Sequence, residues 1–92
     1  MMKRTIYLHI GNNYSVDVRD IVGIFDMDNT TVSGVTNWLL DKAEKNREVF
    51  YATYELPKSF IITEKNGRNR VYVSQLAAST LKKRLAEGGG LQ

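Results

Sequence analysis

Asp26, Asp28 and Thr30 stand in the spacing D-x-D-x-T directly after the apolar pair Ile24-Phe25. That spacing suits phosphoryl transfer through a phosphoaspartate: one carboxylate attacks phosphorus, the second works as acid and base, and Mg²⁺ lies between them. Such an enzyme also requires a Ser or Thr and a Lys at the ends of later parallel strands, and further carboxylates for the metal. Downstream of Asp41 there is no Asp at all. The same residues have a purely structural reading, because a strand that enters a helix through Asp-x-Asp-Asn-Thr places acidic and hydroxyl groups at the positive end of the helix dipole. No other catalytic set stands out. His9 is the only histidine, there is no cysteine to pair with it, and neither a metal-ligand cluster nor a Gly-rich phosphate loop is present. His9 is expected as a packed or edge residue, and no cofactor or metal is expected.

The elements that must carry these residues are few. Ninety-two residues, 42% hydrophobic with a single Pro, make one small domain able to bury a modest core, too small for a doubly wound hydrolase. The absence of cysteine excludes a disulfide framework. The longest apolar run falls far short of the ~20 residues of a membrane span, and MMKRTIYLHI lacks the apolar stretch of a signal peptide. A soluble, cytoplasmic protein is expected.

Alternation comes first along the chain. Ile6, Leu8 and Ile10 oppose Tyr7 and His9, and Tyr14, Val16 and Val18 oppose Ser15 and Asp17, with Gly11-Asn12-Asn13 between them as a hairpin turn. Residues 21–25, IVGIF, read as a central strand covered on both faces. From about Thr31 to Arg47 the period becomes helical, with Val32, Val35, Leu39 and Ala43 as the apolar stripe, Trp38 broadening it, and Asn29, Thr30 or Thr31 as the cap. Residues 49–54, 58–63 and 70–74 alternate again, and Asn66-Gly67 is a strong two-residue hairpin signal. Ser74 is placed to cap a second helix over about 75–86, which Gly88 to Gly90 stop. The expected fold is therefore α+β: a single domain over 1–87 with a largely antiparallel sheet of about six strands and two helices, in the order β-β-β-α-β-β-β-α, followed by a flexible Gly-rich tail over 88–92.

Charge divides unevenly along this order. Residues 1–57 hold six Lys/Arg against eight Asp/Glu, whereas residues 58–92 hold seven against two. A basic third of this kind is a sign of a polyanion-binding surface, since each phosphate neutralised by Lys or Arg releases condensed counterions. The alternative is a solvated hairpin and helix end. Lys65, Arg68 and Arg70 flank the Asn66-Gly67 turn, where they can project toward a phosphate backbone. Lys82, Lys83 and Arg84 lie where cations favour the C-terminal end of the helix dipole, which suits a structural or subunit-contact role. Trp38 reads as core, or with Tyr51 and Tyr54 as interface.

Three stretches carry a resemblance: Asp20-Ile21-Val22-Gly23-Ile24-Phe25-Asp26, Lys58-Ser59-Phe60-Ile61-Ile62-Thr63 after Pro57, and above all Val71-Tyr72-Val73-Ser74-Gln75-Leu76-Ala77-Ala78-Ser79-Thr80-Leu81-Lys82-Lys83-Arg84. They resemble the extracellular matrix regulatory protein family (RemA/RemB), nearest its RemB branch, over about residues 5–86. The IFD strand end belongs to that family's own pattern. The resemblance implies a small cytoplasmic regulator of Gram-positive endospore formers. Its better understood RemA branch activates transcription of biofilm-matrix genes by binding DNA as a ring-shaped homo-oligomer. That branch places an arginine pair just after the equivalent of Ala52-Thr53-Tyr54, where this chain has Glu55-Leu56-Pro57 and then Lys58. The expected function is thus an oligomeric, non-enzymatic DNA-binding regulator with Lys58, Lys65, Arg68, Arg70, Lys82, Lys83 and Arg84 as candidate contacts. Its partners are duplex DNA and copies of itself, with no membrane and no small-molecule substrate. The alternative is an interaction module that assembles without DNA; a phosphatase is a remote third.

Overall fold

A computed structural model describes residues 6–27 and 34–87, the first three of the second stretch by backbone alone. The elements run β1 Tyr7–Gly11, β2 Tyr14–Asp17, a 3₁₀ turn Val18–Asp20, β3 Ile21–Asp26, α1 Gly34–Lys45, β4 Val49–Tyr51, β5 Ser59–Lys65, β6 Arg68–Ser74 and α2 Ala78–Ala86. Among the described residues, six strands and two helices in the expected order bear out the α+β reading. The strands divide into two sheets, however: β1 pairs β2 alone, and the larger sheet has the order β3-β5-β6-β4. Two of the larger sheet's pairings are antiparallel and β4 lies parallel to β6. It follows that β3 and β4 run parallel at opposite edges, with α1 as the crossover between them.

Turn chemistry fixes both hairpins. Asn66 and Gly67 each take positive φ, 54° and 79°, the geometry of a two-residue turn whose twist matches the flanking strands. At the β1–β2 turn Gly11 has φ 132°, and a Cβ there would stand 2.8 Å from the carbonyl oxygen of Ala52. Both the backbone angle and the close approach demand glycine. At the end of α1 the N–H of Glu48 reaches the carbonyl of Ala43 at 2.8 Å and that of Arg47 reaches Glu44 at 3.1 Å. This is a Schellman turn with Arg47, φ 58°, in the left-handed position that usually falls to glycine.

Alternation then sorts the larger sheet into two apolar faces. On one face Phe60, Ile62 and Val71 pack with Ala43 of α1, supported by Phe25, Leu39, Leu40 and Val49. On the other, Ile24 and Ile61 meet Leu8, Ile10 and Val16 of the small hairpin and Ala78 and Leu81 of α2. The molecule thus has three layers with the four-stranded sheet in the middle. Leu8, Ile10, Ile61, Ile62 and Leu81 are fully buried, each stabilising by about 1.5–3 kcal/mol relative to an exposed side chain.

Three expectations are corrected. The IVGIF strand lies at a sheet edge, and Val22 is half-exposed, because the register shifts between Ile21 and Gly23 and takes Val22 out of the ladder. Trp38 is 60% exposed and does not broaden the α1 stripe; Lys42 Nζ sits 5.1 Å from its ring, so the indole packs under a cation on the solvent side. Ser74 does not cap α2, which begins at Ala78 with Ala77 at the cap and no side-chain cap bond. The Ser74 hydroxyl instead donates to the Ile10 carbonyl at 2.6 Å and accepts from the Leu76 N–H at 2.9 Å. Ser59 donates to the Leu76 carbonyl at 2.7 Å. These bonds hold residues 74–77 out of the helix and stitch the small hairpin to the large sheet. The candidate caps at 29–31, Val32 and the tail at 88–92 lie outside the described residues.

Candidate nucleic-acid interface

Strand β6 alternates strictly, so Arg68, Arg70 and Tyr72 share one face while Asn69, Val71 and Val73 face the α1 layer. The tight turn sets the register so that Lys65 stands opposite Arg68 and Thr63 opposite Arg70. Lys65, Arg68 and Arg70 therefore come together at the turn end of the β5–β6 hairpin, as the sequence predicts. Lys58 does not join them; it precedes Ser59 at the far end of β5, where its N–H bonds the Ser74 carbonyl at 2.8 Å. Lys82, Lys83 and Arg84 lie on α2, the two lysines exposed and Arg84 half-buried. The Glu87 N–H closes the last turn on the carbonyls of Lys83, at 3.0 Å, and Arg84, at 3.2 Å, so these cations stand at the negative end of the helix.

Glu48 changes the character of the hairpin cluster. The Schellman turn sets it at the mouth of β4, and its side chain is only 7% exposed. Arg68 donates from both Nε and Nη2 to Oε2, the former at 2.9 Å, and Arg70 Nε donates to Oε1 at 3.0 Å. Both carboxylate oxygens are thereby engaged, and the arginine contacts hold the Glu48 carboxyl below its ordinary pKa, Arg68 first and Arg70 second. Arg70 is in turn held charged, first by the Tyr72 side chain and then by Glu48. It lies 5.9 Å over the Phe50 ring, which stacks on Tyr72 at 5.4 Å, and Tyr14 meets Tyr72 edge-on at 6.1 Å. The carboxylate fixes both guanidinium groups, and an aromatic ring lies beside that of Arg70 as well. Lys65, Arg68 and Arg70 outnumber the two carboxylates of Glu48 and Glu64 at the hairpin end by one charge.

Sequence reasoning singled out the arginines and missed Glu48. The contact joins residues 20 and 22 positions apart through the turn after α1, and an isolated Glu before a short strand carries no pattern that would have marked it.

At the end of β2, Asp17 accepts from the Arg19 backbone N–H at 2.9 Å and from its Nη2 at 2.8 Å. Arg19 brings the Asp17 carboxyl down to a pKa of about 2. His9 is exposed on β1, and its Nε2 donates to the Asn12 carbonyl at 2.9 Å within the turn, an edge position as expected. Asp26 ends β3 in register with Ser59, while Asp28 and Thr30 fall outside the described residues. Among the described residues no helix is long and apolar enough to cross a membrane.

The pattern of the family described as extracellular matrix regulatory protein A-like matches residues 7–85, from the first residue of β1 to the last turn of α2. The chain is 38% identical over 79 residues to extracellular matrix regulatory protein B of Bacillus subtilis (strain 168), an alignment that covers 86% of this chain and 89% of that protein. Both matches span all three layers, including the hairpin that carries the arginine cluster, and the chain belongs to the RemA-like family of extracellular matrix regulatory proteins.

Proposed function

We propose that this regulatory protein acts by binding duplex DNA as a homo-oligomer, without enzymatic activity, in the cytoplasm. The observation that carries the reading is the arginine pair of β6, oriented by Glu48 and joined by Lys65 at one end of the hairpin. A guanidinium has five N–H donors in a rigid fork, so Arg70, which gives Nε to Glu48 and also bonds the Tyr72 side chain, still has donors left for phosphate oxygens. A chain of net charge +3 makes few phosphate contacts by itself, and several copies presenting the same tip multiply them. Glu55-Leu56-Pro57 offers no cation, which leaves the β6 arginines, Lys65 and Lys58 as the contacts on the sheet.

The test is fluorescence anisotropy on duplex DNA at several salt concentrations. Removing the arginines alone would strand a carboxylate with little exposure, so Arg68→Gln with Arg70→Gln is made in a Glu48→Gln background. Affinity should fall on every duplex sequence, and the slope of log affinity against log salt should flatten by roughly 0.9 for each phosphate that is no longer neutralised. Lys82→Ala with Lys83→Ala should cost less affinity; an equal loss would move the binding face to α2. Wild-type protein with no affinity at low salt overturns the reading.

A further inference from the structure

Between the small hairpin and the turn end of β5–β6 runs a groove of about 280 Å³. Its two walls differ in charge. Lys65, Arg68 and Arg70 line one side and Asp17 and Asp20 the other, with the Tyr7 and Tyr72 rings also lining it. A continuous polyanion can use only the first wall. A single anionic group attached to hydroxyls is served by both, because guanidinium and ammonium donate to phosphate oxygens while a carboxylate accepts from a sugar hydroxyl. Asp17 is occupied by Arg19, so Asp20 is the carboxylate placed to take the hydroxyls.

We propose that this groove is a binding site for a small phosphorylated sugar, its phosphate held by Lys65, Arg68 and Arg70 and its hydroxyls by Asp20. Size limits the ligand to a small one, because the volume lies just below the range for small-molecule sites, about 300–1,000 Å³. Preorganisation agrees too. Glu48 clamps both guanidinium groups before any ligand arrives, so ligand binding orders little that is not already ordered. The sugar meets Tyr7, half-exposed at the groove, and Tyr72, whose ring is fixed by Phe50 and Tyr14. The site stands whether or not the protein binds DNA.

Ribose 5-phosphate, inorganic phosphate and ribose serve as separate probes in a protein-observed NMR titration of the full chain. Ribose 5-phosphate should bind with a dissociation constant below about 1 mM, shifting the Arg68 and Arg70 Nε–H signals together with the Ser15 and Asp20 amides. Inorganic phosphate should bind several-fold more weakly, and ribose alone should leave the spectrum unchanged. Lys65→Ala, an exposed substitution, should weaken both phosphate probes alike; Asp20→Asn should erase the preference for ribose 5-phosphate over phosphate. Circular dichroism verifies that each variant keeps its fold. No shift with any probe, shifts confined to residues away from the groove, or a preference untouched by Asp20→Asn would each overturn the proposal. No step of the test includes DNA, so it fails or succeeds separately from the proposed function.

Discussion

At the scale of single residues, Glu48 and Asp17 show how differently two carboxylates can serve one surface. Glu48 has almost no exposure and touches two arginines, so replacing one arginine with alanine weakens its compensation without removing its charge. Arg68→Ala should therefore lower the thermal midpoint more than the same change made together with Glu48→Gln, a coupling that a double-mutant cycle measures. The sign with pH follows from its depressed pKa. The folded state binds fewer protons there than the unfolded one, so the stabilisation is complete above the ordinary carboxylate pKa, about 4.3. It is lost as pH falls through the lower folded value. Thermal midpoints measured from pH 6 downward should fall less steeply in Glu48→Gln than in wild type, and identical profiles would contradict the ion-pair geometry. Asp17, by contrast, owes its pKa of about 2 first to the Arg19 side chain. In an NMR titration, Arg19→Ala should bring its midpoint back toward the ordinary value of about 3.9.

The elements record which parts of the fold a sequence can announce. Both hairpins were legible because Asn66-Gly67 and Gly11-Asn12 are local chemistry: positive φ is required there, and the residue types say so. The division into two sheets was not legible, since it depends on Leu8, Ile10 and Val16 packing onto Ile61 from more than forty positions away. The start of α2 departs from its sequence signal for a related reason. Ser74 has the composition of a cap, but Ile10 and Leu76 take its hydroxyl through contacts of the folded whole. The cationic hairpin was legible from charge and turn; its carboxylate anchor was not. The Schellman turn at Arg47 supplies a prediction of its own. A non-glycine residue at φ 58° holds left-handed strain that glycine would relieve at some cost in chain entropy. Arg47→Gly should stabilise by about 0.5–1 kcal/mol in urea melts, since relief of a left-handed penalty of about 1–2 kcal/mol is partly offset by an entropy cost of about 0.5–1 kcal/mol for glycine. Leu81→Ala in α2, fully buried against the sheet, should instead cost about 2–5 kcal/mol.

For the whole molecule the question is what the exposed apolar side chains are for. Tyr51, Tyr54 and Leu56 follow one another out of edge strand β4 with exposures of 63%, 96% and 83%. Side chains so exposed contribute little to the stability of a single chain, and a cluster of them beside an open sheet edge is a surface suited to another copy. The edge itself is short, three residues of β4 paired only to β6, so such an assembly depends on the side chains of the 51–56 segment more than on backbone pairing. We expect light scattering after size exclusion to give a mass several times 10.5 kDa for the wild type. Tyr54→Glu with Leu56→Glu should reduce it while leaving the circular dichroism spectrum and the thermal midpoint of the isolated chain nearly unchanged, because neither side chain is buried within it. The DNA reading then gains a consequence that charge alone does not give. The variant keeps every cation of the β5–β6 hairpin, yet each particle presents fewer copies of it, so duplex affinity and its salt slope should both fall with the mass. A wild-type mass of one chain at micromolar concentration would sink the assembly. A reduced mass with undiminished duplex affinity would instead show that one hairpin suffices for binding.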